Sequence, residues 1–181
     1  MNEQIHVWER LAQSRAAWDA AMWSEQGQED RFRAALMRAA PQPGEHVLDW
    51  GCGHGALTEW LGKDIVYTGV DWSPAMLAAA SRKYHERRFI PPNVWRGKCD
   101  VSFAIGTWNL ALDWSLADTG TELVGLWDRT LRVLVGSFYS GDDPACIKYT
   151  ADDLALVAEQ LAPRWLIERW RDNDLLLVMR R

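Results

Sequence analysis

Between positions 47 and 55 the chain reads Val47-Leu48-Asp49-Trp50-Gly51-Cys52-Gly53-His54-Gly55, an apolar run that meets an acid and then three glycines at alternate positions. Glycine serves where backbone must take positive φ or approach a ligand closely. The segment therefore predicts a strand that delivers the chain into a ligand-cradling loop. A second apolar run, 65–70, ends on another acid, Asp71, 16 residues after Gly55. Two such units with room for a helix between them predict the first half of a parallel, nucleotide-binding α/β sheet. The glycine spacing is G-x-G-x-G, not the G-x-G-x-x-G that sets a helix N-terminus under a pyrophosphate. Asp49 stands two residues before the first glycine, where an acid suits a ligand with a positively charged end. A carboxylate at the end of the second strand can accept hydrogen bonds from both hydroxyls of a ribose.

Hydrophobic periodicity organises the rest. A helix is expected over 2–22 on the stripe Ile5, Trp8, Leu11, Trp18 and Met22, broken at 24–27. A second covers 28–39 with Phe32, Leu36 and Ala39 inward, stopped by Pro41. Strand 46–50 feeds the glycine loop, and a helix follows Gly55 using Leu57, Trp60 and Leu61, with Gly62 as its cap. After the 65–70 strand, Ser73-Pro74 is a side-chain cap followed by a first-turn proline. That helix turns Met76, Leu77 and Ala80 inward, and its basic end (Arg82, Lys83, Arg87, Arg88) reads as a solvated face that suits the helix dipole. Pro91-Pro92 argues against a long strand in 89–99. A strand at 100–106, a loop at 107–118, a helix at 121–130, a strand at 131–139 and a helix at 151–161 follow. The chain closes with a hairpin of 165–170 and 175–179. This pattern predicts one α/β domain over 1–181, a doubly wound and mostly parallel sheet with one reversed strand at its edge.

The net charge of −5 gives no general pull toward nucleic acid or anionic membrane. No stretch approaches the roughly 18 apolar residues of a membrane span. Cys52, Cys99 and Cys146 have no metal-ligand spacing, so reduced thiols, a cytoplasmic setting and no metal are expected. Residues 1–6 show no secretory signal. Most of the twelve tryptophans are expected to fill the core, with a few lining a pocket.

The segments 47–55 and 70–77 resemble the first two motifs of the class I S-adenosylmethionine-dependent methyltransferases, and Val70-Asp71-Trp72-Ser73-Pro74-Ala75-Met76-Leu77 is especially close. The likeness extends more loosely to 99–106 as a fourth strand and to the closing hairpin. It implies a seven-stranded Rossmann-like methyltransferase fold, with 45–181 as the cofactor-binding core and 1–40 as a helical cap or substrate lid. It implies S-adenosylmethionine as cofactor, its methionine end surrounded by Asp49, Gly51 and Gly53, its ribose on Asp71 and its adenine packed on Trp72 and Met76. Gly55 and Gly106 join the cofactor-binding set. So does Cys52, as a small buried loop residue, whereas His54 reads as a loop residue rather than a base. Family members usually end a third strand on an acid that binds the adenine amino group. Residues 89–99 contain none, which leaves Asn93 or a backbone carbonyl in its place.

Methyl transfer from a sulfonium is an in-line displacement, so alignment does most of the work and no catalytic acid or base need be visible. The switch-point rule puts the acceptor beyond the ends of the first and fourth strands, near Thr107, Trp108 and Asn109, with Tyr139 more distant. Trp18 and Trp23 belong to the lid. Gly106-Thr107-Trp108-Asn109 is not the Asn/Asp-Pro-Pro-Tyr/Phe motif of adenine or glutamine methylation, and no Pro-Cys nucleophile is present. A small-molecule acceptor is therefore the leading expectation, and the Trp-rich cap points to an apolar or aromatic one. The alternatives are an RNA or protein acceptor, supported only by the basic stretch 82–88, or a cofactor-binding protein without activity. A nicotinamide dehydrogenase ranks last on glycine spacing. The information that names the acceptor is expected in 1–40 and 107–118.

Overall fold

The computed structural model describes residues 2–13, 23–112, 114–171 and 173–181. Trp18 and Met22, which carried expectations for the first helix and the lid, lie outside them. Helix α1 (Asn2–Leu11) is followed by α2 (Glu25–Ala39). The Ser24 hydroxyl accepts from the Gly27 N–H at 3.0 Å, so the expected break at 24–27 is the capped first turn of α2. The helix ends where Ala40 takes a φ of 42° ahead of Pro41. Strand β1 (His46–Trp50) lies where its pattern places it.

After the glycine loop the expected helix is a single 3-10 turn, Ala56–Trp60, before β2 (Val66–Val70). Residues 51–65 join the two parallel neighbours, and the glycine loop takes the first five of them. The turn buries Leu57 but leaves Trp60 37% exposed, packed edge-on to Phe32. Helix α3 (Pro74–Lys83) opens with the Ser73 hydroxyl accepting from the Met76 N–H at 3.2 Å. It buries Met76 and Ala80. Strand β3 (Arg88–Ile90) is only three residues long and stops at Pro91. Beyond it come β4 (Cys99–Ile105), α4 (Leu116–Arg129), β5 (Thr130–Tyr139), α5 (Ala151–Leu161), β6 (Arg164–Arg169) and β7 (Asp174–Arg180). Helix α4 starts earlier than its apolar stripe because Ser115 and Asp118 form a reciprocal capping box.

The seven strands are ordered β3-β2-β1-β4-β5-β7-β6. Strands β1 to β5 pair in parallel, and β7 runs antiparallel to both β5 and β6. The reversed strand is thus one place in from the edge, and β6 forms the edge itself. Successive residues alternate between two cores. Val47, Val133 and Val135 meet Phe32 and Ala35 of α2, while Leu48 and Leu134 meet Leu126 of α4 and Leu154 of α5. Strand order reverses between β1 and β4, so the carboxyl ends of these two strands open a crevice. No helix among the described residues is long and apolar enough to cross a membrane.

Candidate active site

The crevice is an open cavity of about 1000 Å³, the solvent at its mouth included. Its floor is the glycine loop. Gly51 takes a φ of 79°, and a Cβ there would overlap the Thr107 side chain. Thr107 in turn donates its hydroxyl to the Trp50 carbonyl at 2.6 Å, which locks the ends of β1 and β4 together. Gly106 repeats the device at the end of β4, with a φ of 69° and the Trp23 ring where a Cβ would stand.

Two buried carboxylates face this space. Asp71 is 8% exposed and accepts from the Gly53 N–H at 2.8 Å and the Ser73 N–H at 2.9 Å. Burial pushes its pKa up, and those two backbone donors oppose the shift. Asp49 is 5% exposed and accepts from the Tyr67 hydroxyl at 2.7 Å. Burial pushes it up to about 7; the Tyr67 bond works against this and the charge of Asp71 adds to it. Among the described residues no Lys or Arg lines the cavity. A pair of desolvated carboxylates without a cation favours a ligand that brings positive charge.

Cys52, Gly53, Trp72, Met76 and Trp108 line the same cavity as the two acids, as do Gly51, Gly106 and Thr107. Trp72 packs edge-on against Trp50, with ring centres 5.4 Å apart. The Trp50 indole N–H donates to Glu122 at 3.0 Å, so the platform beside Asp71 is held from behind. Burial raises the Cys52 thiol well above its ordinary range, which keeps it protonated. Gly55 and Asn109 do not line the cavity. A Cβ on Gly55 would sit 2.7 Å from the Phe89 ring, and Asn109 ties the loops by accepting from the Tyr139 N–H at 3.0 Å and the Ile147 N–H at 2.7 Å.

The lining also includes residues that local pattern did not single out for the site. Ile5 and Trp8 come from α1, Gln28 and Phe32 from α2, and Trp114 from the loop before α4. His54 joins them, its Nε2 lying 3.2 Å from the Ala12 carbonyl oxygen just past α1. Five of the twelve tryptophans (Trp8, Trp23, Trp72, Trp108 and Trp114) therefore border one cavity, while Trp50, Trp95 and Trp127 are buried in the body of the protein.

Residues 47–132 match the family described as a methyltransferase domain. Trans-aconitate 2-methyltransferase of Klebsiella pneumoniae (strain 342) is 36% identical over 171 residues, covering 87% of this chain and 66% of the relative. The chain thus spans just under two thirds of that relative's length. Magnesium protoporphyrin IX methyltransferase of Synechocystis PCC 6803 with bound S-adenosylhomocysteine superposes with a TM-score of 0.73 at 17% identity, over 99% of this chain and 94% of that one. An N-methyltransferase of Bradyrhizobium japonicum WM9 in complex with S-adenosylhomocysteine gives a TM-score of 0.73 at 14% identity, over 97% of both chains. The strand order and the reversed β7 agree with these matches: residues 47–132 carry the methyltransferase domain, and the chain has the Rossmann-like fold of the class I S-adenosylmethionine-dependent methyltransferases.

Proposed function

We propose that this chain binds S-adenosylmethionine in the cavity at the ends of β1 and β4 and moves its methyl group to a small-molecule acceptor. The observation that carries this reading is the Asp71 carboxylate, fixed by Gly53 and Ser73 in the same cation-poor cavity as Asp49. The Asp71 carboxylate keeps acceptor capacity beyond its backbone bonds, for a ribose diol to use. Asp49 would face the ammonium of the methionine part, and the loop N–H groups its carboxylate. Trp72 and Met76 would hold the adenine. When bound, the sulfonium supplies an activated methyl whose carbon–sulfur bond breaks as the acceptor bonds to it.

The residues of the chain then have positioning work to do. Gly51 and Thr107 set the floor, Trp108 and Trp114 shape the space beyond it, and the apolar walls keep water out. In this reading α1 is the lid, with Ile5 and Trp8 in the lining and the Ala12–His54 contact holding it to the loop. The described residues read as one unit, since α2 packs directly on the sheet. Three free thiols suit a reducing compartment such as the cytoplasm.

The basic stretch gives an RNA acceptor little support. Lys83 pairs with Glu59 at 2.8 Å, and Arg87 donates to the Ile65 and Gly62 carbonyls. Calorimetry with S-adenosylmethionine, S-adenosylhomocysteine and NADH tests the reading. Both sulfur nucleosides should bind and NADH should not. Asp71→Ala should lose about 1.5–3 kcal/mol of affinity with its charge-assisted ribose bonds. A folded protein that ignores both sulfur nucleosides would refute it.

A further inference from the structure

Strand β6 closes one side of the sheet and, among the described residues, pairs with β7 alone. Both of its faces stay partly open: Trp165 is 37% exposed and Leu166 49%. A strand edge of this kind is a template for another strand unless something blunts it.

Hydrogen bonds at the strand ends show which residues present that template. The Trp170 N–H donates to the Asp174 carbonyl at 2.9 Å, in line with the β6–β7 register. On the far side of β7, the Ser140 N–H donates to the Asn173 carbonyl at 2.8 Å and the Arg181 N–H to the Arg132 carbonyl at 3.1 Å. Odd-numbered residues of β7 therefore bond to β5 and even-numbered ones to β6. Within β6 the even-numbered residues bond to β7, which turns the N–H and C=O groups of Trp165 and Ile167 toward the open edge.

Side chains alternate between the two faces. Leu166 lies opposite Val178 and Glu168 opposite Leu176, both in the core under α2. Arg164, Leu166 and Glu168 thus share the α2 face, where Glu168 accepts from Arg38 at 2.9 Å. Trp165 and Ile167 lie opposite Met179 and Leu177, on the other face.

This edge complements itself in one antiparallel register. A two-fold axis at Leu166 sets Leu166 against its own copy and Trp165 against Ile167 of the partner subunit. The same axis sets Arg164 against Glu168 of the partner subunit. With the axis moved to Trp165 or to Ile167, Leu166 would face a charged residue and no ion pair would form. Both charged groups have capacity left: Arg164 commits one guanidinium nitrogen to the Arg181 carbonyl at 2.6 Å, and Glu168 one oxygen to Arg38. Charges that would otherwise blunt the edge become its pairing code.

We propose that two copies of this chain pair antiparallel along β6, about a two-fold axis at Leu166, and join their sheets into one. Trp165 and Ile167 of the partner subunit exchange both backbone hydrogen bonds, and the axis repeats them.

Analytical ultracentrifugation of the full chain over a concentration series is the test. A species of twice the 20.7 kDa chain mass should grow with concentration. Arg164→Glu places like charges opposite each other and should weaken the dimer by about tenfold. Adding Glu168→Arg restores opposite charges and should bring the affinity back to within about threefold. Ile167→Pro removes an edge-directed N–H while sparing the bonds to β7, and should abolish the dimer; circular dichroism reports that each variant folds. Cross-linking checks the register in a Cys146→Ser background, since Cys146 is the least buried of the three thiols. Facing residues of a non-hydrogen-bonded pair have Cα atoms about 4.5 Å apart, within disulfide reach. Oxidation should therefore link Leu166→Cys and leave Trp165→Cys, whose copies lie beyond about 7 Å, unlinked. A monomer at every concentration would overturn the proposal. So would a dimer that Arg164→Glu and Ile167→Pro leave unchanged, or one that cross-links through Trp165→Cys in preference to Leu166→Cys.

Discussion

Binding of the sulfur nucleoside should weaken about tenfold between pH 8 and pH 6, and Asp49 is the reason. Burial raises its pKa to about 7, against the pull of the Tyr67 hydroxyl. At pH 8 the carboxylate is mostly ionised and ready to face an ammonium; at pH 6 only about a tenth of it is. The protonated remainder must first lose its proton, so the observed affinity falls by about tenfold, close to 1.4 kcal/mol. Asp71, also raised by burial, works in the same direction. His54, whose pKa burial lowers, adds a positive charge only at the acid end, which again opposes a cationic ligand. The assay is calorimetric titration of S-adenosylhomocysteine at pH 6, 7 and 8, repeated in two buffers of different ionisation enthalpy. Proton release on binding should appear at pH 6 and vanish at pH 8. Asp49→Asn should bind weakly at pH 8 and lose most of the slope. A wild-type affinity constant within about twofold across the range would refute the assignment, as would an unchanged slope in the Asn variant.

Other consequences follow from the same geometry. Because the folded pKa of Asp49 lies above its unfolded value, its contribution to stability is present at low pH. That contribution is lost as pH rises from about 4 to about 7. Denaturant midpoints of the ligand-free protein should show this loss, and Asp49→Asn should reduce it. Gly106→Ala meets both a φ of 69° and the Trp23 ring, so it should cost about 1–3 kcal/mol. Thermal unfolding would register this as a drop of roughly 2–4 °C per kcal/mol. Trp72→Ala should weaken S-adenosylhomocysteine by about 1–3 kcal/mol through lost base stacking, measured by calorimetry with circular dichroism as the folding control.

The glycine loop and its two acids were legible because they depend on short-range chemistry. A strand that ends on an acid and turns through glycines carries its own geometry, and so does the Ser73-Pro74 helix start. Strand 46–50 and helix 151–161 appear with the expected bounds for the same reason. Where two local signals competed, the weaker-looking one prevailed. Gly27 suggested a break, yet Ser24 caps a helix that runs through it. The apolar stripe placed the start of α4 too late, although the Ser115–Asp118 box was present in the sequence. The apolar spacing of Leu57, Trp60 and Leu61 suggested a helix after Gly55, yet the segment makes a single 3-10 turn. The position of β7 between β5 and β6 is a tertiary choice, invisible to local pattern. The far wall of the cavity was hidden in the same way. Ile5, Gln28, Phe32 and Trp114 come from separate elements and meet only once α1 and α2 fold over the end of the sheet.

The central claim is that Asp49 and Asp71 hold the two ends of one S-adenosyl nucleoside. A crystal structure of the full chain with S-adenosylhomocysteine tests it most directly. The account predicts both ribose hydroxyls on the Asp71 carboxylate, the ammonium facing Asp49, and the adenine against Trp72 and Met76. A nucleoside bound elsewhere, or lying in the cavity with its ribose turned away from Asp71, would contradict it.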